Sequence, residues 1–146
     1  MIDTVTNAGA MPVLERMIQF AARRHELIAG NVANIDTPGY RPVDVSTQAF
    51  QQRLGEAIDA RRARGPTGGS GGTLNIDSSA EIEITSDGMI LHPEPIGANI
   101  LFHDGNDRAL ERTMQDLVEN FGTFRLAAQL LRHQFESINT AIRERI

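Results

Sequence analysis

The chain has no cysteine and no tryptophan, one tyrosine and six phenylalanines among its 146 residues. Without cysteine there is no disulfide framework, iron–sulfur cluster or thiolate zinc site. It also lacks any excess of basic residues; the formal net charge of −5 argues against a nucleic-acid partner, which needs a basic footprint. No run approaches the roughly 18 apolar residues of a membrane span. The first twenty residues show no basic, apolar and small-residue succession of a secretory signal, and Arg23-Arg24 precedes His25-Glu26 rather than an apolar run. By ordinary rules such a chain stays in the cytoplasm unless a dedicated export machine reads it.

What the chain does have is heptad order at both ends. Over residues 107–146, Leu110, Met114, Leu117, Phe121, Phe124, Ala128, Leu131, Phe135, Ile138 and Ile142 alternate steps of four and three. That 3.5-residue period keeps one stripe of a long helix facing a partner helix. Only Gly122 weakens it, by about 1 kcal/mol relative to alanine. Asp104, Asn106 or Asp107 is placed to cap its start. The partner lies at the other end of the chain. From Pro12, suited to a first helical turn, Met11, Leu14, Ile18, Ala21, His25, Ile28, Val32 and Ile35 step in the same way. Both helices carry apolar residues beside the seam: Val13, Met17, Phe20 and Leu27 on the first, Val118, Leu126 and Leu130 on the second. A two-helix hairpin covers one stripe per helix and should be marginal alone, so the extra faces are expected to meet neighbouring copies. Contacts repeating head-to-tail without closure give a filament.

The first helix must stop at Asp36-Thr37-Pro38-Gly39-Tyr40, because proline disfavours a helical conformation at Thr37. Pro38-Gly39 fits the centre of a type II turn. Asn31 and Asn34 sit one turn apart just upstream. They are either solvated amides near a helix end or amides that bond across helices and fix register.

The string Asn-Val-Ala-Asn-Ile-Asp-Thr-Pro-Gly-Tyr at 31–40 resembles the motif near the N-terminus of bacterial flagellar axial proteins, the family of rod, hook and hook–filament junction subunits. Arg41-Pro42-Val43-Asp44-Val45, Phe50 and Leu54 are similar to the proximal rod members of that family. Asp104-Gly105-Asn106, Leu110-Glu111, Met114, Glu119-Asn120, Leu130-Leu131, Phe135, Ile138 and Ala141-Ile142 extend the likeness to about half the chain. Asp107-Arg108-Ala109 and Phe121-Gly122-Thr123-Phe124 depart from the family pattern.

The resemblance implies a structural subunit of the basal-body rod, with no cofactor or metal and no catalysis. It implies export without signal cleavage to the periplasmic rod. Its expected partners are further copies, other proximal rod proteins, the basal-body membrane ring and the export gate; neither nucleic acid nor a direct membrane span is expected. Another rod or hook subunit, or a soluble coiled-coil adaptor or chaperone, is the alternative. The fold expected is mainly α, an antiparallel coiled coil of 1–36 and 107–146, with 37–106 as a central loop outside or between subunits. Residues expected at the assembly interface are Leu14, Ile18, Ile28, Asn31, Val32, Asn34, Ile35, Pro38, Gly39 and Tyr40 at one end. At the other they are Leu117, Phe121, Phe124, Leu131, Phe135, Ile138 and Ile142.

Within 37–106, a helical pattern over 47–63 runs through Phe50, Leu54 and Ile58 to Arg61, Arg62 and Arg64, a basic end that favours the helix dipole. Residues 65–73 read as a flexible linker. Glu81-Ile82-Glu83-Ile84 alternates like a strand, and Asp87-Gly88 turns it into a hairpin with 89–91, ended by Pro93 and Pro95. The four histidines show no ligand spacing; His25 is expected at the edge of the core, and His92 with Glu94 and His103 with Asp104 are the nearest to a metal cluster.

Overall fold

A computed structural model describes residues 9–64, 74–85, 88–96 and 110–144. It is mainly helical: α1 (Met11–Ala33), β1 (Val43–Asp44), α2 (Thr47–Ala63), β2 (Ile82–Thr85), β3 (Gly88–Leu91), β4 (Glu94–Pro95) and α3 (Leu110–Arg143). The linker at 65–73 and the caps expected at 104–107 lie outside the described residues.

Local chemistry explains the boundaries. Pro12 stands in the first turn of α1, where a missing N–H costs nothing. At the other end Asn34 Nδ2 donates back to the Gly30 carbonyl, 2.9 Å, and satisfies a helix-terminal acceptor. The chain then reverses at Pro38-Gly39: Tyr40 N–H donates to Thr37 O at 3.1 Å, and Gly39 takes φ 74, the positive value a type II turn demands. Ser46 caps α2, its Oγ accepting from Ala49 N–H at 3.1 Å.

The strands form two antiparallel pairs. In the first, Ile82 pairs with Leu91 and Ile84 with Met89, so these four share the inward face while Glu83 and Ile90 point out. The second joins Val43 to Pro95 and Asp44 to Glu94; proline is tolerated because the pair is only two residues long and all edge.

The hydrophobic core differs in place from the expected helix–helix seam. Its buried members are Phe20, Val45, Phe50, Leu54, Ala57, Leu74, Ile76, Ile82 and Met89, and all but Phe20 come from residues 45–89. Phe20 and Phe50 stack with ring centroids 4.0 Å apart. Val13, Met17 and Leu27, the apolar residues beside the α1 seam, pack against this core rather than waiting for another copy. The physical reason is that α2 and the hairpin each carry one apolar face, and the side of α1 away from α3 covers both.

Along its other side α1 packs antiparallel to α3, as Asn120 beside Ala21 and Asp116 beside Arg24 establish. Only Asn120 and Ala127 of α3 are buried. The α1-facing line is thus rotated from the apolar stripe toward Asp116, Asn120 and Ala127.

Candidate assembly surface

Three polar contacts decide how the elements sit, and each follows from a group that cannot be left alone in the interior. Arg24 lies on the same side of α1 as Ile28 and Asn31 and is buried. Its guanidinium forks onto Asp44, Nε to Oδ1 at 2.9 Å and Nη2 to Oδ2 at 2.6 Å, and Nη2 also approaches Asp116 Oδ1 at 3.5 Å. Burial alone would lower the pKa of Arg24; the hydrogen bond and charge of Asp44, with Asp116 adding to them, outweigh it and hold the group above its ordinary value. One side chain of α1 thereby fixes β1 on one flank and α3 on the other. Bidentate pairing suits arginine because its donors form a planar fork.

Asn31 is the second. Its Nδ2 donates to Val43 O at 2.8 Å, while Oδ1 accepts from Val43 N–H at 3.1 Å and from Tyr40 OH at 3.0 Å. The side-chain amide pairs with the Val43 backbone as a neighbouring strand would. Asn31 and Asn34 therefore bond within the turn segment and their own helix, not across to α3. The 31–40 motif is a self-clamped reversal that delivers Asp44 to Arg24.

Asn120 is the third: its Nδ2 donates to the Ala21 carbonyl at 2.8 Å, in a buried contact. With Ala127 fully buried, small and polar residues let α3 approach α1 closely. Sequence reading missed Arg24, Asp116 and Asn120 in these roles. The available signal was a charged residue on the buried side of α1, spaced with Ile28 and Asn31, which must find a carboxylate.

That rotation leaves eight large apolar residues of α3 outside. Leu110, Met114, Val118, Phe121, Leu126, Leu130, Phe135 and Ile142 are all exposed, Val118 to 71% and Ile142 to 59%. Among the expected interface residues, Leu14, Ile28 and Asn31 are buried within the chain's own packing. Ile18, Val32, Asn34, Ile35, Tyr40, Leu117, Phe124, Leu131 and Ile138 are half-buried. Pro38, Gly39, Phe121, Phe135 and Ile142 are exposed. So much apolar area on one helix marks an interaction surface.

Three curated proteins are similar to this chain over nearly its whole length. A flagellar basal body rod protein FlgB of Borrelia hermsii is 26% identical over 137 residues, covering 92% of this chain and 96% of the relative. FlgB proteins of Yersinia enterocolitica and Yersinia ruckeri are each 22% identical over 143 residues, 93% of this chain and 95% of theirs. The chain is thus similar to FlgB rod proteins over more than nine-tenths of its length. No family model matches it.

The remaining candidates for chemistry do not converge. His25 is exposed rather than at the core edge, since the α1–α3 contact line runs through Ala21 and Arg24. His92 faces Glu83 across the hairpin at 3.1 Å instead of Glu94. His133 is exposed on α3, and His103 lies outside the described residues. Among the described residues no three histidine or carboxylate groups gather as a metal site would need. No helix among them is long and apolar enough to cross a membrane.

Proposed function

We propose that the chain is a structural subunit of the bacterial flagellar basal-body rod, at its proximal part. The observation that carries this reading is end-to-end similarity to three FlgB proteins, covering over 90% of both partners. The exposed apolar side of α3 supports it physically: so much apolar area on one helix marks a surface for other subunits to cover. The body made by α2 and the hairpin, held by the core it shares with one side of α1, serves as the outer part of the subunit. The two terminal helices, 1–36 and 107–146, form the unit that packs into a tube, with 37–106 outside it. Partners are other copies and the other proximal rod proteins, with the membrane ring and export gate at the rod base. The role is to transmit torque through dry contacts, and catalysis is no part of it.

Deleting the gene in its own host tests this. The expected result is non-motile cells whose basal bodies lack a rod in electron micrographs, restored by the intact gene. Motile deletion cells with complete rods would overturn it.

A further inference from the structure

The start of the hairpin and α3 border one polar cavity of about 320 Å³, with Glu81 among its lining residues on one side and Asp116 on the other. A continuous series of contacts joins the two through residues that also line it. Asp116 Oδ1 lies 3.5 Å from Arg24 Nη2, and Arg24 forks onto Asp44. Asp44 Oδ1 also accepts from the Val45 N–H at 2.8 Å, which holds the carboxylate against its own backbone. One residue further, the Ser46 N–H donates to Glu81 Oε2 at 2.6 Å, a short bond assisted by the carboxylate charge. The Glu81 carbonyl accepts from His92 N–H at 2.8 Å, which fixes Glu81 to the hairpin.

These contacts differ in how much they can give. Asp44 stands between two anchors: Asn31 holds Val43 from the side of α1, and Glu81 holds Ser46 from the side of the hairpin. The guanidinium is a rigid planar fork, so the seat of Asp44 sets the direction in which Arg24 Nη2 points. The contact from Nη2 to Asp116 is longer than an ordinary hydrogen bond and is the loosest of the series. A tilt of residues 44–46 is therefore felt first at α3. We propose that Glu81 is a positioning residue for α3: by anchoring Ser46 it aims the Arg24 fork at Asp116, so that a seated hairpin and a docked α3 favour each other. The coupling is reciprocal, and whatever holds α3 in place also favours the seated hairpin. The inference concerns the single chain and needs no assumption about what it assembles into.

Amide exchange of residues 116–127 in the purified chain reads this coupling. Glu81→Ala should speed exchange there about tenfold while α1 amides change by less than about twofold. Glu81→Gln, whose amide oxygen can still accept from Ser46, should recover most of the protection. Ser78→Ala removes a different bond of the hairpin, the one its Oγ accepts from Ile84 N–H at 3.1 Å, and should leave α3 unchanged. In an Asp116→Ala chain the link to α3 is already cut, so adding Glu81→Ala should change α3 by less than about twofold. If Glu81→Ala does not fold, Glu81→Asp takes its place, since the shorter side chain falls short of Ser46. Unchanged α3 in the Glu81 variant, equal acceleration by Ser78→Ala, or a full effect on top of Asp116→Ala overturns the proposal. So does an α3 without protection in the unaltered chain, because there would be no docking to position.

Discussion

α1 and α3 carry the same kind of heptad pattern, yet they end up in opposite situations. Met11, Leu14, Phe20, Ala21 and Ile28 of α1 are buried, and Arg24 and Asn31 with them. On α3 only Asn120 and Ala127 are, and eight of its large apolar residues are exposed. The difference is the number of neighbours. α1 lies between α3 and the core built by α2 and the hairpin, so two of its sides have something to touch. α3 touches α1 along one narrow line. Periodicity sets how much apolar surface a helix offers; the fold sets how much of it is already covered.

The sharpest way to break this contrast is to place a charge on each helix. Ile28→Asp puts a carboxylate where 2% of the side chain is exposed. It should lower stability by about 4 kcal/mol or more, read as loss of cooperative unfolding in urea. Arg24→Ala strands Asp44 beside the core; because Asp44 and Asp116 keep some solvent access, the expected loss is about 2–3 kcal/mol, below that of a fully buried pair. Asn31→Ala removes three hydrogen bonds of the turn and should cost about 2 kcal/mol in the same assay. Asn34→Ala, which loses mainly a bond to Gly30, should cost about 0.5–1 kcal/mol. A larger effect at Asn34 than at Asn31 would show that the clamp is misassigned. Phe121→Asp should change the stability of the isolated chain by under about 0.5 kcal/mol, yet abolish motility. If it unfolds the chain instead, α3 is covered from within and the contrast disappears.

The helices, the hairpin and the turn were legible because each is a local matter. Pro38-Gly39 sets the reversal, Ser46 caps α2, and alternation at 81–84 marks the strand. The antiparallel pairing of the ends was legible too, since two heptad stripes at the ends of one chain need each other. The position of the core was not. Leu74 and Ile76 follow a glycine-rich stretch and carry too little pattern to announce themselves, yet both are 4% exposed. The face of α3 turned to α1 was hidden for another reason. It is chosen by the charge on Arg24 and the small size of Ala21 and Ala127, which outweigh the apolar stripe that periodicity picks out. The same choice produces the exposed surface that the proposed assembly uses.

Amide hydrogen exchange on the purified chain, compared with the chain in assembled rods, tests this most directly. In the dilute chain, amides of α1, α2 and the hairpin should be protected together, while those of residues 132–143 exchange orders of magnitude faster and become protected only in the rod. Equal protection of α3 and α1 in the dilute monomer would contradict the account, because α3 would then need no neighbour.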